Sequence, residues 1–286
     1  MNATEYRGHA LALSKESPYN PLMVIEIKRP KTVREALRQK SAPGTAYLGG
    51  GTRLNAAPAG GPTVLISLEN LGLRTITTER DRCTIGAAAT FQQIVETDGV
   101  PPAIRAAASL TASRTLRNMK TLGGELGACP DDSSIIPALL ALGAEVDCAG
   151  RNQLVPIDDF CSERPSGLIL SVSIEGSRRP CAVQAISRTS HSGKSLVVAV
   201  TVAAFAPTVR RIRIVVSDCR GQRVRLREVE KELEGAPLPD RRRTEELVGQ
   251  AFEPRPDIHA SAEYKRYMAS ILVADTLQAL TLEDAS

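Results

Sequence analysis

The chain has 286 residues, of which 42% are hydrophobic and 24% charged, as expected for a globular protein of one large or two modest domains. No stretch approaches the roughly 18 consecutive apolar residues of a membrane span. The net charge is only +4 and aromatic residues make up 3%, which argues against the stacking platforms of single-stranded nucleic-acid binders. We therefore expect a cytoplasmic protein that neither spans a membrane nor binds nucleic acid.

The cysteines predict neither a disulfide framework nor a metal site. Six cysteines lie at positions 83, 129, 148, 161, 181 and 219, and none forms a C-x-x-C pair. Without an export signal, these residues are expected to be reduced and mostly structural thiols. The chain has only three histidines, so a zinc site or an iron–sulfur cluster is hard to assemble.

The first half of the chain predicts a mixed succession of strands and helices after a loosely ordered extension at 1–22. Thr32 and Thr90 are expected helix N-caps, because each precedes a helical pattern. The predicted strands are 24–27, 46–48, 64–68, 82–87, 145–147 and 168–172. The predicted helices are 33–37, one beginning after Thr90, two short pieces within 102–119, and 133–142.

The second half predicts a separate sheet followed by helices. Strand patterns at 183–186, 196–205 and 209–216 indicate an antiparallel meander. Helical patterns follow at 226–233, 244–252 and 261–280. Together these patterns predict an α+β protein with two lobes and a small antiparallel sheet-plus-helices C-terminal domain.

Two glycine-rich segments are the strongest functional signal. The first, at 47–55, follows a strand and contains Gly49, Gly50 and Gly51; the second, at 118–127, contains Gly123 and Gly124. Consecutive glycines allow positive φ angles, so that successive amides can converge on an anion such as a pyrophosphate. A tight turn alone also explains either segment, but two such loops suit a dinucleotide, which needs support at several points.

Other phosphate-binding and catalytic motifs do not fit. The G-x-G-x-x-G spacing fails at Leu54, and the P-loop pattern at 193–195 lacks its upstream glycine, since Arg188 occupies that position. The pair Asp131–Asp132 is interpreted as helix capping, because acids are favoured in a first helical turn. The sequence thus gives no catalytic residue of its own.

In their order along the chain, these segments resemble the FAD-binding subunit of the molybdenum hydroxylases, the xanthine dehydrogenase and carbon monoxide dehydrogenase family. Residues 49–54 match the family's A-G-G-T-D-L loop, and 117–126 match its R-N-x-x-T-I-G-G-N-I signature. Residues 85–87, 168–174, 187–188 and 261–266 are similar to its I-G-A strand, its strand closing the flavin lobe, its S-R pair and its terminal S-x-Y-R helix. The similarity spans roughly 23–280.

The resemblance implies a two-lobed FAD domain of the vanillyl-alcohol oxidase type at 23–178 and a C-terminal domain at 179–286. It implies that pyrophosphate rests on both glycine loops and that the flavin ring lies near residues 121–123. The implied cofactor-binding residues are Tyr47, Leu48, Gly49, Gly50, Gly51, Thr52, Arg53, Leu54, Thr121, Leu122, Gly123, Gly124, Glu125, Ser134, Leu168 and Gln184.

The resemblance also implies a partnership. In the family, electrons leave a molybdopterin centre, cross two [2Fe–2S] clusters and reach FAD, which reduces NAD⁺ or another acceptor. The expected partners are therefore a molybdopterin-binding large subunit and a [2Fe–2S] subunit. A chain unable to build a cluster must take its electrons from a partner or a soluble donor, which suits a flavoprotein.

Four positions depart from the family pattern. Arg53 replaces an acid, Glu125 replaces an asparagine, Ser134 replaces an aspartate and Gln184 replaces a lysine. Two other hypotheses therefore stay open: a flavin-free assembly subunit of such a complex, and a stand-alone reductase.

Overall fold

A computed structural model describes residues 24–54, 61–111, 113–164, 167–187, 194–205 and 207–284. The predicted extension at 1–22, the P-loop-like Gly193 and Arg188 of the S-R pair lie outside the described residues. The strands are β1 (Glu26–Lys28), β2 (Thr45–Leu48), β3 (Val64–Ser67), β4 (Ile76–Glu79), β5 (Arg82–Gly86), β6 (Glu145–Cys148), β7 (Val155–Pro156), β8 (Ile169–Glu175), β9 (Cys181–Ser187), β10 (Lys194–Thr201), β11 (Arg213–Ser217) and β12 (Arg223–Arg225).

The helices begin at the predicted caps. Thr32 and Thr90 each accept a hydrogen bond from the amide three residues on, and Thr90 forms a full capping box with Gln93. The helices are α1 (Val33–Lys40), α2 (Phe91–Glu96), α3 (Pro102–Ser109), α4 (Arg114–Met119), α5 (Leu122–Ala128), α6 (Ile135–Leu142), α7 (Ile157–Glu163), α8 (Arg227–Leu233), α9 (Arg241–Ala251) and α10 (Ala262–Asp284), with a short 3₁₀ helix at Glu69–Leu71.

Two lobes make up the first part of the chain. The smaller lobe is a parallel sheet of order β1-β3-β2 with α1 beside it, and its core contains Ala36, Ile66, Leu68 and Leu168. The larger lobe is a five-stranded antiparallel sheet of order β4-β5-β8-β6-β7. Because Leu168 belongs to the core of the smaller lobe while Ile169 begins β8, the chain crosses between the lobes at this point.

The C-terminal part is the predicted antiparallel meander, extended by one strand. The order is β12-β11-β10-β9, and the fourth strand, β12, was not predicted. One apolar cluster joins this sheet to α8, α9 and α10. All residues of α6 are buried, and α6 packs against β9, β10 and β11, so this helix lies between the larger lobe and the C-terminal sheet.

The structure corrects the prediction for the second glycine segment. The segment is not a loop of positive φ angles, because Gly123, Gly124 and Gly127 belong to α5 and none of them has a positive φ. Thr121 caps this helix through its hydroxyl, which offsets the low helix propensity of glycine. Strands β4 and β7 and helix α7 were also not predicted.

The acids before α6 do not cap it. Asp132 Oδ1 accepts a hydrogen bond from Arg53 Nη2 at 3.2 Å, and Asp131 lies 4.0 Å from Arg223. The N-cap residue of α6 is Ser134, and the Oγ of the preceding Ser133 accepts a hydrogen bond from the amide of Ile136 at 3.3 Å. The capping interpretation of Asp131–Asp132 is therefore wrong, and both carboxylates contact arginines that are distant in sequence.

Candidate functional site

A cleft lies between the smaller parallel lobe and the larger antiparallel lobe. Its cavity has a volume of about 380 Å³, within the range of small-molecule and cofactor sites. Glycine forms much of the wall, so backbone rather than side chain faces the cavity. The lining consists of Tyr47, Gly49, Gly50, Gly51, Thr52, Arg53, Leu54, Leu68, Ala87, Lys120, Thr121, Gly123, Gly124, Glu125, Gly127, Ala128, Gly167, Leu168 and Ile169.

The first glycine segment is a turn at the end of β2 with unused amides. Within the described chain, the backbone amides of Gly50, Gly51, Thr52 and Arg53 donate to no other residue. Gly51 has φ 71°, in the left-handed region that favours glycine. None of these four residues is buried, so an anion that enters the cleft can reach their amides.

In the second glycine segment, the amides of residues 122–124 already have protein acceptors. The amide of Leu122 donates to Ala89 O at 3.0 Å, and that of Gly123 to Ala87 O at 2.7 Å. The amide of Gly124 donates to the cap oxygen of Thr121 at 3.2 Å. These bonds disagree with the expectation that amides of both segments converge on one diphosphate, because the amides of residues 122–124 already have protein acceptors.

Glycine in both segments is explained by close backbone approach. A Cβ built on Gly50 lies 1.5 Å from the carbonyl oxygen of Met119, at the end of α4. A Cβ on Gly49 lies 2.6 Å from Thr121 Oγ1. The two glycine segments are thus in direct contact, and together they form one wall of the cleft.

An ion pair between two residues of the second segment lies inside the cleft. Lys120 Nζ is 2.9 Å from Glu125 Oε2, and the Glu125 side chain is fully buried. The contact lacks hydrogen-bond geometry, and neither carboxylate oxygen of Glu125 accepts a hydrogen bond within the described part of the chain. Lys120 also lies over the ring of Phe91, 5.4 Å from its centroid, where the ring attracts the ammonium group.

A second ion pair connects the lobes at the surface. Arg53 of the first turn contacts Asp132, which precedes α6, and both side chains are about half exposed. Lys194 at the start of β10 is within electrostatic range of Asp132, Lys120 and Glu125, and burial, the largest effect on it, lowers its pKa. Burial likewise raises the pKa of Tyr47 in the cleft wall.

Twelve of the sixteen predicted cofactor residues line the cleft. Four do not. Leu48 is the last residue of β2, and Leu122 is packed in the core of the larger lobe. Ser134 is buried, and its hydroxyl has no partner among the described residues. Gln184 lies in β9 of the C-terminal sheet, opposite Val198.

The structure adds seven residues that were not predicted to line the cleft. Lys120 and Gly127 lie within the second glycine segment. A prediction that the whole of residues 118–127 lines the cleft would therefore have included both residues. The others contribute small or apolar side chains and have no individual sequence signal. These residues are Leu68, Ala87, Lys120, Gly127, Ala128, Gly167 and Ile169.

Comparison with known families identifies this arrangement. Residues 23–174 match the family described as FAD binding domain in molybdopterin dehydrogenase, a match covering more than half of the chain. The chain belongs to the FAD-binding subunits of the molybdenum hydroxylases. FAD is thus the cofactor that its fold accommodates. Residues 183–280 match the family described as CO dehydrogenase flavoprotein C-terminal domain.

Several relatives match along most of their length and most of this chain. This flavoprotein-family chain is 32% identical over 257 residues to "Uncharacterized protein YgfM" of Escherichia coli K12, covering 88% of this chain and 95% of that protein. Carbon monoxide dehydrogenase from Hydrogenophaga pseudoflava superposes with a TM-score of 0.79 at 23% identity, covering 90% and 97% of the two chains. Quinoline 2-oxidoreductase from Pseudomonas putida 86 gives a TM-score of 0.79 at 19% identity, covering 90% and 96%. The structural matches establish the shared fold.

The described residues were compared with the requirements of two further kinds of site, a metal centre and a membrane-spanning helix. Among the described residues, no group of three or more His, Cys, Asp or Glu side chains is arranged to hold a metal ion. None of the described helices is both long enough and apolar enough to cross a membrane.

Proposed function

We propose that the cleft binds FAD with its diphosphate on the first glycine turn, at Gly49, Gly50, Gly51 and Thr52. The observation that carries this proposal is the run of amides in this turn that have no partner among the described residues and lie at the wall of a cofactor-sized cavity. Such donors suit a diphosphate, because a concave array of amides is an anion site. The second segment would shape the flavin side of the cleft through Thr121, Gly123 and Gly124.

Charged groups near the turn support the same placement. Arg53 and Lys120 both line the cleft and bring positive charge to it. Arg53 replaces an acid of the family pattern, so at this position the chain adds attraction for a diphosphate rather than repulsion. Hydrogen bonds from backbone amides to a diphosphate would not depend on these side chains. The replacement of the acid by Arg53 is therefore compatible with binding through the turn.

We propose that the chain works within a complex containing a molybdopterin-binding subunit and a [2Fe–2S] subunit. The domain limits we propose are 23–178 for FAD binding and 179–286 for the C-terminal domain. FAD supplies the ability to collect single electrons and release a hydride. Electrons would thus pass from the partner's clusters to this chain and on to NAD⁺ or another acceptor. A second structural match, the Cu,Mo-CO dehydrogenase, has a TM-score of 0.79 at 22% identity, and the molybdenum in that enzyme's name supports such partners.

The binding proposal is tested by the absorption spectrum of the purified chain before and after incubation with FAD. We expect flavin bands in the visible region that stay with the protein through gel filtration. A colourless protein that takes up no FAD would contradict the proposal. The acceptor is tested separately, by adding NADH anaerobically to the FAD-loaded chain; bleaching of the flavin bands supports NAD⁺, and unchanged bands point to another acceptor.

One observation favours the flavin-free alternative. The buried carboxylate of Glu125 lies in the cleft, pairs with Lys120 and accepts no hydrogen bond from the described residues, and a diphosphate there would also carry negative charge. If this charge opposes binding, Glu125→Gln should tighten FAD binding by about tenfold, which is ~1.4 kcal/mol. Co-purification of the wild-type chain with its partners but without flavin, together with no binding by Glu125→Gln, would favour an assembly subunit.

A further inference from the structure

A second cavity, of about 570 Å³, lies where the end of α6 meets the C-terminal sheet. Its lining comes from the turn before β9, from the start of β11, from the end of β12 and from α8. Two of its nine lining residues are acidic, one is apolar and six are cationic. We call it the arginine cavity, and its cationic residues are Arg179, Arg211, Arg213, Arg225, Arg227 and Lys231.

The positive charge of the chain is concentrated at this cavity. With six cations and two carboxylates, its lining carries an excess of four positive charges. The formal net charge of all 286 residues is also +4. The remainder of the chain is therefore neutral on balance, so a generally basic surface does not explain the excess.

Both carboxylates of the cavity already have partners. The two oxygens of Glu230 each accept a hydrogen bond from Arg225 Nε at 2.9 Å, which neutralises that guanidinium. The oxygens of Glu234 accept from the backbone amides of Arg211 and Ile212, at 2.9 and 3.2 Å. Within the described part of the chain, neither carboxylate forms an ion pair with the other five cations of the cavity.

Most of those five cations have no carboxylate partner elsewhere. Four of them form no ion pair with any described residue: Arg179, Arg211, Arg213 and Lys231. The fifth, Arg227, is 4.0 Å from Asp158. Burial lowers the pKa of Arg213, and repulsion from Arg225 and Arg179 adds to that effect. The cations therefore repel one another, and a bound anion would relieve the repulsion.

Two of the arginines are held in place by backbone. Arg213 lies against Gly143, where an added Cβ would overlap its guanidinium, and its Nη1 donates to Leu140 O at 3.5 Å. Arg179 Nη2 donates to Leu142 O at 3.3 Å. Both carbonyls belong to the last turn of α6, the end of a helix that attracts cations.

These contacts with α6 use only part of each guanidinium. An arginine side chain has five N–H donors. Among the described residues, Nη1 of Arg179 and both Nε and Nη2 of Arg213 have no acceptor. The arginine cavity thus combines cations that lack carboxylate partners with donors in fixed positions, and both features favour an anion.

We propose that the arginine cavity binds a small anion with two or more phosphate groups, of which inorganic pyrophosphate is the simplest example. Guanidinium groups match phosphate oxygens with paired N–H donors, and a phosphate group carries up to ~2 negative charges. Two such groups would balance the excess of four positive charges. The volume of about 570 Å³ lies within the range of small-molecule sites.

The lining argues against two other kinds of ligand. None of the nine lining residues is aromatic, so a nucleotide base has no stacking surface there, and the phosphate groups would be the part that is recognised. An acidic peptide would need four carboxylates to supply the same charge, because each carries a single charge. A compact anion with several phosphate groups therefore matches the concentrated charge more closely.

The proposed site is separate from the glycine-lined cleft, since no residue lines both cavities. Arg213 belongs to the C-terminal family match, whereas Leu140 and Leu142, whose carbonyls Arg213 and Arg179 contact, belong to the FAD-binding match. A ligand in the arginine cavity would therefore stabilise the junction between the two parts, whatever the cleft binds.

The first test is calorimetric titration of the full chain with inorganic pyrophosphate at low salt, with and without excess FAD. We expect one saturable site that FAD does not compete for. The double variant Arg211→Ala/Lys231→Ala should bind about tenfold more weakly. Arg210→Ala is the matched control, because Arg210 is exposed and adjacent in the chain but does not line the cavity, and it should retain the wild-type affinity.

Four results of this titration would overturn the proposal. They are the absence of saturable binding, equal weakening by Arg210→Ala, wild-type affinity in the double variant, and displacement of pyrophosphate by FAD, which would assign the anion to the glycine turn. Saturable binding of a hexaglutamate peptide without binding of pyrophosphate would also overturn it, in favour of an acidic protein segment.

The second test is thermal unfolding at low salt. Pyrophosphate should raise the Tm of the wild type more than sodium chloride does at the same ionic strength, because only a bound ligand stabilises the folded state by mass action. The double variant should unfold within about 2 °C of the wild type without pyrophosphate and should lose the response to it. Equal effects of the two salts, or a pyrophosphate response retained by the double variant, would overturn the proposal.

Discussion

Replacing Gly50 with alanine tests the contact between the two glycine segments. Gly50 does not have a positive φ, so its backbone conformation is open to alanine. The added Cβ, however, would lie 1.5 Å from the carbonyl oxygen of Met119 and 2.5 Å from its carbonyl carbon. Both atoms are backbone atoms of a distant segment, so no side-chain rotation can relieve the overlap, and the segments must separate.

The expected loss of stability in Gly50→Ala follows from the overlap with backbone atoms of Met119. Overpacking a tight site typically costs ~1–3 kcal/mol, and we expect about 3 kcal/mol here because backbone must move. At ~2 °C per kcal/mol for a chain of this size, the Tm should fall by roughly 6 °C. Separation of the segments also displaces the amides of the first turn, so FAD affinity should fall with stability.

Thermal unfolding without added FAD measures the stability effect. Gly127→Ala is the matched control, because Gly127 also lines the cleft and belongs to α5, but an added Cβ there meets nothing within 4 Å. Alanine in a helix is favoured over glycine by ~0.5–1 kcal/mol, so this variant should be slightly stabilised. Equal Tm values for the two variants would refute the role assigned to the Gly50–Met119 contact.

Three further predictions concern ion pairs. Lys265 is fully buried, and its Nζ contacts Asp257 Oδ2 at 2.8 Å. The Lys265→Met variant should therefore lower the free energy of unfolding, measured with urea, by about 3–5 kcal/mol. The control is Arg242→Ala, which should leave that free energy unchanged because Arg242 is exposed. Burial by itself raises the pKa of Asp257, but hydrogen bonds from Lys265 and two backbone amides outweigh burial and hold the pKa below 3.8. The pair should therefore stabilise the fold above about pH 4 and lose that contribution as the pH falls through the pKa of the folded state. The Asp257→Asn variant should not show this loss. Arg53→Ala should change the free energy of unfolding by less than about 1 kcal/mol, since Arg53 and Asp132 are both exposed, and a larger change would mean that the pair holds the lobes together.

Local signals in the sequence predicted much of the fold. Thr32 and Thr90 mark helix starts because a capping hydroxyl acts on an amide only three residues away. The C-terminal meander followed from successive apolar strand patterns, since an antiparallel sheet pairs neighbouring strands of the chain. The two glycine segments and their resemblance to a known flavoprotein family likewise required only the order of residues along the chain.

The tertiary structure decided how those segments are used. Sequence alone did not show that the amides of residues 122–124 are already bonded, because their acceptors include Ala87 and Ala89, some 35 positions upstream. The partners of Asp132 and Cys129 were hidden for the same reason, since Arg53 and Arg223 are 79 and 94 positions away. Hydrogen bonds and charge contacts depend on distance in space, and only the packing of the lobes and the C-terminal sheet sets that distance.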